Sequence, residues 1–118
     1  MNITEDYVSF EVAKLLKEKG FEGICDYAYS NKGNYFEVDR SNFDEVYCLR
    51  PTLQMAMKWL RKVHSLHIQI NYMYGAYQEY DYVVINTFSG IRCHKPISFS
   101  SYEEAVEVGI KYVLENLI

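Results

Sequence analysis

The stretch NYMYGAYQEYDYVVINTFSGIRCHKP, residues 71–96, decides the predicted fold because it matches an earlier part of the same chain. A shift of 45 residues places it, without a gap, over DYAYSNKGNYFEVDRSNFDEVYCLRP, residues 26–51. Self-similarity at a fixed spacing indicates a repeated supersecondary unit, so we predict two similar halves. The identical pairs are Tyr27/Tyr72, Tyr29/Tyr74, Tyr35/Tyr80, Val38/Val83, Phe43/Phe88, Cys48/Cys93 and Pro51/Pro96.

Both copies contain short segments in which apolar and polar residues alternate, as they do in strands. The segments are CDYAYS, NYFEVD and EVYCLR in the first half and HIQINYMYG, YDYVVINT and IRCHKPI in the second. The turn NKG, with Gly33 at the position of positive φ, predicts a hairpin. Short loops favour antiparallel neighbours, so we expect a three-stranded meander in each half. One continuous sheet and two small sheets both remain open.

Apolar residues spaced three and four apart predict three helices, over residues 9–19, 52–65 and 102–117. Thr52 is a candidate N-cap, and Ser101 with Glu104 forms a capping box. The predicted fold is α+β, with three helices packed on antiparallel sheet in the order α-β-β-β-α-β-β-β-α. Residues 1–118 then form a single domain, with halves at roughly 9–51 and 52–96 and a closing helix at 101–117. The apolar stripes of the last two helices are Leu53, Ala56, Leu60 and Val63, and Val106, Ile110, Val113 and Leu117.

Composition and charge exclude several classes of protein. The chain has 118 residues, 49% of them hydrophobic, which is enough for one core. Its formal net charge of −4 disfavours nucleic-acid binding. No apolar run reaches the 18 or so residues that span a bilayer, and the acidic, polar start is unlike a secretory signal. Three scattered cysteines suggest no disulfide framework, so we expect a cytoplasmic protein.

The sequence shows no motif for catalysis, metal binding or a cofactor. Cys25, Cys48, Cys93 and the histidines lack the paired spacing of a zinc site. Neither a glycine-rich phosphate loop nor a nucleophile elbow is present. We therefore predict no catalytic residue, no metal site and no cofactor, and a non-enzymatic role is favoured over an enzyme.

The twelve tyrosines are the most distinctive residues. Because Tyr72, Tyr74 and Tyr80 have tyrosine counterparts in the first half, we interpret them as structural residues on a sheet face that is partly exposed to solvent. Tyr77 and Tyr82 have no counterpart there, so they are our candidate partner contacts. Stacking on single-stranded nucleic acid is disfavoured because acidic residues, not basic ones, stand between these tyrosines.

A short basic patch on the second helix, Lys58, Arg61 and Lys62, is the other candidate binding site. It supports the alternative of a nucleic-acid accessory protein. Residues 52–118 share the order of helices and strands with double-stranded RNA-binding domains, but they share nothing else with them. Their last helix begins with basic residues, whereas this one begins SSYEEAVE.

Three segments carry a resemblance to known proteins: SFEVAKLLKEKGF, PTLQMAMKWLRKVHSLHI and SYEEAVEVGIKYVLENLI. In these segments, and along nearly its whole length, the chain resembles a family of small uncharacterised proteins from gut Bacteroidetes and their bacteriophages. The resemblance implies an intracellular phage or mobile-element protein and supplies no catalytic residue. We therefore expect a module that binds a protein partner or forms a homo-oligomer, with no membrane association.

Overall fold

The computed structural model describes residues 3–74, 79–94 and 97–118 and confirms the predicted α+β order. A short 3₁₀ helix, Phe43–Glu45, precedes the third strand. The helices are α1 (Phe10–Glu18), α2 (Leu53–His64) and α3 (Tyr102–Asn116). The strands are β1 (Tyr27–Tyr29), β2 (Tyr35–Glu37), β3 (Cys48–Leu49), β4 (Leu66–Met73), β5 (Glu79–Asn86) and β6 (Arg92–His94).

Each helix begins at a hydroxyl side chain that accepts a hydrogen bond from the first turn. Thr52 Oγ1 accepts from the Met55 amide at 3.0 Å, which confirms the predicted N-cap. Ser101 Oγ accepts from the Glu104 amide at 3.1 Å. The Glu104 carboxylate instead accepts from Ser100 Oγ, so only one half of the predicted capping box forms.

The strands form two separate three-stranded antiparallel sheets with different strand orders. In the second half the order is β4-β5-β6, which is the predicted meander. In the first half the order is β2-β1-β3, because β3 pairs with β1 and not with β2. The meander predicted for the first half is therefore wrong.

The three helices pack against the sheets and against one another. α3 lies on β4 and β5, α2 lies on β4, and α1 contacts both α3 and β3. Gly109 of α3 permits this close packing, since a Cβ there would lie 3.1 Å from Ile68 Cγ2 and 3.3 Å from Tyr82 Cγ. The fully buried side chains include Leu16, Leu60, Val106, Ile110, Val113 and Leu114.

The buried face of α2 is displaced from the predicted stripe. Leu53, Ala56 and Leu60 are buried as expected, but Val63 is 59% exposed. Trp59, which is not part of the predicted stripe, is buried, and its ring meets that of Phe21 edge-on, with centroids 5.5 Å apart. α2 thus packs toward the end of α1 as well as onto α3 and β4, which a single-helix pattern does not reveal. Leu117, after the last turn of α3, is likewise 39% exposed.

Candidate functional site

One of the two tyrosines predicted to contact a partner is buried in the structure. Tyr82 is only 2% exposed, and its ring lies against Phe99 and Tyr112 with centroid distances of 6.2 and 6.3 Å. Burial raises the pKa of its phenol. Tyr82 shares a face of β5 with buried Val84, and this alternation was the signal for a core position. The prediction for Tyr82 is wrong, and Tyr77 lies outside the described residues.

Other tyrosines form a partly exposed aromatic row at the far end of the second sheet, made of Tyr72, Tyr80 and Tyr102. The Tyr72 and Tyr80 centroids are 5.1 Å apart, and those of Tyr80 and Tyr102 are 6.2 Å apart. Tyr72 is 50% exposed, and Tyr74, beyond the end of β4, is 88% exposed. The second sheet therefore ends in aromatic surface that is available to a partner.

The predicted basic patch is solvent-exposed on α2. Lys58, Arg61 and Lys62 lie away from the buried face of the helix, and α2 contains no acidic residue. Among the described residues, none of the three forms a salt bridge. The patch and the aromatic row lie on different elements, and the structure gives no direct contact between them.

The free edge of β4 can be identified from the hydrogen bonds of its neighbour. Along β5, the amides of Tyr80 and Asn86 bond toward the β6 side, to Phe99 and Ile91. Backbone groups alternate sides along a strand, so the odd-numbered residues of β5 bond toward β4. The bond from the Thr87 amide to the Ser65 carbonyl, one residue past each strand, agrees with this.

The backbone groups of four β4 residues consequently point away from the sheet. Register pairs the odd-numbered residues of the two strands, so the even-numbered residues of β4 face outward. They are Leu66, Ile68, Ile70 and Tyr72, and within the described ranges no hydrogen bond from their backbone to another element is found. We call these groups the β4 edge.

The β4 edge is unlike the other edges of the two sheets. Strands β2, β3 and β6 have three, two and three residues, whereas β4 has eight. Native proteins protect edges with short strands, charged side chains, prolines or bulges. The sequence LHIQINYM of β4 contains no Asp, Glu, Lys, Arg or Pro, and its register with β5 is continuous.

A polar network covers the outer face of the second sheet, opposite the helices. Asn71 Nδ2 donates to Asp81 Oδ1 at 2.9 Å, and His94 Nε2 lies 2.8 Å from Asp81 Oδ2. Gln69 Nε2 donates to Asn71 Oδ1 at 2.9 Å. Burial alone raises the pKa of Asp81, but the hydrogen bonds with His94 and Asn71 outweigh it and hold the pKa below its usual value. The network lacks a nucleophile, because Cys93 points to the opposite face of its strand.

In the first half, Arg50 fills a cage of tyrosine rings. Its guanidinium carbon lies 4.2 Å from the ring centroid of Tyr7 and 4.0 Å from that of Tyr35. Arg50 Nε donates to the Tyr29 hydroxyl at 3.2 Å, and that hydroxyl donates to the Val8 carbonyl at 2.6 Å. Because the chain's own cation occupies the cage, we assign it to structure rather than to ligand binding.

Neither clefts nor thiols of the described residues point to chemistry. A cleft of about 200 Å³ lined by Leu66, Ile91, Cys93 and Leu117 is smaller than most ligand sites, which span roughly 300–1,000 Å³. A wider cleft of about 410 Å³, between residues 30–32 and 44–47, has no histidine or cysteine in its lining. Burial raises the pKa of Cys25 and of Cys48, which disfavours a thiolate. The described part of the chain holds no group of three or more His, Cys, Asp or Glu that could bind a metal ion.

No family model, curated protein or solved structure matches this chain. The resemblance to phage and Bacteroidetes proteins thus stays a prediction. In the described residues, no helix has both the length and the apolar character needed to cross a membrane.

Proposed function

We propose that this protein is a non-enzymatic interaction module that binds an extended protein segment by strand addition at the β4 edge. The observation that carries the proposal is the run of outward backbone groups along β4, of which those at Ile70 and Tyr72 are accessible, whereas Leu66 and Ile68 are buried. An added strand would satisfy these donors and acceptors, and alternate side chains would give specificity.

The surroundings of the edge support this function. Exposure rises along β4, from 4% at Ile68 to 50% at Tyr72, so the second half of the edge is the more accessible part. The aromatic row begins at Tyr72. Tyrosine is favoured at interfaces because its ring is apolar and its hydroxyl can form hydrogen bonds with water or a partner. Backbone pairing and aromatic contact are therefore offered side by side.

A proline substitution can block the edge without breaking the β4–β5 ladder. In Tyr72→Pro the lost amide is one that faces outward, whereas the ladder uses the odd-numbered residues. The matched control is Arg92→Pro, because the pairing of Cys93 with Val84 leaves the Arg92 amide facing outward at the opposite edge of the same sheet.

Peptides selected from a random displayed library against the full chain would supply the probe. We expect the selected peptides to lose binding to the Tyr72→Pro variant and to keep it with Arg92→Pro. Peptides that bind Tyr72→Pro as well as the parent chain would show that the β4 edge is not the site. Thermal unfolding of both variants would verify that they are folded.

A nucleic-acid accessory role is the second candidate, and the exposed patch of Lys58, Arg61 and Lys62 supports it. If the patch bound phosphates, affinity for an oligonucleotide would fall steeply with salt, with a slope near the number of contacted phosphates. Absence of oligonucleotide binding at low salt would remove this candidate. An origin in a phage or mobile element is part of the proposal, and phage structural or replication genes beside the coding sequence would support it.

A further inference from the structure

We infer that the strand added at the β4 edge is β4 of a second copy of this chain, which would create a two-fold dimer with one continuous six-stranded sheet. This inference rests on the proposed function, because it names the occupant of the same edge. A two-fold axis perpendicular to the sheet makes the two strands antiparallel and keeps the helices of both copies on one side.

The side chains of β4 suit pairing with an identical strand. Like charges placed opposite each other across a strand pair are destabilising, and β4 contains no acidic residue, lysine or arginine. Its continuous register with β5 shows no bulge that would turn the edge away from another strand. Nothing in the strand itself opposes self-pairing, whereas most natural edges carry a residue that does.

Geometry restricts the register of the pairing. Outward backbone groups belong to even-numbered residues, so even-numbered residues must lie opposite even-numbered ones. With the axis at Ile70, the two copies of Ile70 face each other, and Ile68 lies opposite Tyr72 of the second copy. Gln69 then lies opposite Asn71 of the second copy, so that apolar side chains meet on the helix side and amides meet on the outer side. We assign this register to the dimer.

Accessibility favours the end of this segment that contains Tyr72, because Ile68 is buried, Ile70 is half-buried and Tyr72 is exposed. Residues 68–72 extend from the part of β4 under the helices to the exposed Tyr72, and Tyr74 beyond it is 88% exposed. In the dimer, Tyr74 would reach Leu66 of the second copy. The contact between the two β4 strands contains no Asp, Glu, Lys or Arg side chain, so salt should not weaken the association.

Sedimentation equilibrium of the full chain tests the dimer. We expect a dimer for the parent chain and for Arg92→Pro, and a monomer for Tyr72→Pro. If Tyr72→Pro does not fold, the double variant Gln69→Lys with Asn71→Lys serves instead, because it places lysines opposite lysines while keeping every backbone N–H group. A parent chain that stays monomeric at high concentration, or a dimer that dissociates at high salt, would overturn the inference.

Peptide selection distinguishes a failure of the dimer inference from a failure of the proposed function. If the parent chain is monomeric but selected peptides are blocked by Tyr72→Pro, only the second copy is ruled out as occupant. If neither self-association nor peptide binding depends on Tyr72→Pro, strand addition at the edge is ruled out as well.

Paired cysteines test the register. Gln69 and Asn71 of the second copy would form a non-hydrogen-bonded pair with Cα atoms about 4.5 Å apart, a separation within the range of disulfides. We expect Gln69→Cys mixed with Asn71→Cys to give a disulfide-linked dimer under mild oxidation, while each variant alone does not. The parent chain, with its three free cysteines, is the background control. Crosslinking of Gln69→Cys alone would overturn the assigned register.

Discussion

In the first half the central strand is β1, whereas in the second half it is β5, although the two halves have the same order of elements. Tyr27 and Tyr72 occupy equivalent positions in the sequence, yet Tyr27 is on a central strand and Tyr72 is on an edge. Equivalent spacing therefore determines where strands form but does not determine which strands become neighbours.

The connections explain the difference. In the second half the side chain of Asn86 accepts hydrogen bonds from the amides of Phe88 and Ser89, and this tight turn returns the chain directly beside β5. In the first half residues 38–47 include a turn at Asp39 and the 3₁₀ helix, and this longer connection carries the chain across to the free side of β1. The amide of Tyr47 then bonds the Tyr29 carbonyl and secures β3 there.

The largest expected effect tests the contrast between two positions that the 45-residue shift makes equivalent. Tyr82 is buried on β5, while Glu37 at the corresponding position of β2 is exposed. Tyr82→Ala should reduce the free energy of unfolding by about 3–5 kcal/mol, and Glu37→Ala should change it by less than about 0.5 kcal/mol. Chemical denaturation measures both, and similar losses would show that the halves are packed alike.

The next effect concerns Arg50, which joins β3 to the rings of the first sheet. Arg50→Ala should reduce the free energy of unfolding by about 2 kcal/mol, since it removes ring contacts and the bond to Tyr29. Faster hydrogen exchange at the Tyr47 and Arg50 amides, which bond β1, should accompany this loss. Arg50→Lys is the control for charge, and full recovery with lysine would argue against stacking of the planar guanidinium.

A smaller effect on the free energy of unfolding should depend on pH. It should arise in the second half alone, because the residue of the first half that corresponds to Asp81 is Phe36. The pKa of Asp81 is lowered, so its ionised form stabilises the fold above the unfolded pKa of about 3.9. That stability is lost as pH falls through the lower folded pKa.

Asp81→Asn should therefore cost roughly 1 kcal/mol at neutral pH, and the difference from the parent chain should vanish in strong acid. Urea denaturation across the pH range measures it. The control is Glu79→Gln, on the same face of β5, whose side chain makes no hydrogen bond in the described chain; it should change the free energy of unfolding by no more than about 0.5 kcal/mol. A difference that persists at low pH would mean that the carboxylate charge is not responsible.

The smallest expected effect compares the basic residues of two helices. In α1, Lys14 and Lys17 lie over the rings of Phe10 and Tyr47 at 4.6 and 4.0 Å, whereas Lys58 and Arg61 of α2 make no such contact in the described structure. Replacing Lys58, Arg61 and Lys62 by alanine should change stability by no more than about 0.5 kcal/mol each. Larger losses by thermal unfolding would show that the patch has a structural role.

Local sequence signals predicted the elements well and their assembly poorly. Thr52 and Ser101 marked helix starts because a cap depends on neighbouring residues alone. The pairing of β3 with β1 depends on a connection without regular periodicity, so alternation could not predict it. Tyr82 is buried because it shares a face of β5 with Val84, and a comparison of the two halves does not reveal this face. The β4 edge could not be recognised before the strand order was known.

The edge contact between Phe21 and Trp59 gives this molecule an intrinsic optical reporter. Phe21 follows the helix of the first half, and Trp59, on the helix of the second, is the single tryptophan of the chain. Any event that separates the two halves would move that indole from apolar surroundings into water and shift its emission to longer wavelength. Fluorescence at one wavelength can therefore follow the docking of the halves during folding, without a label.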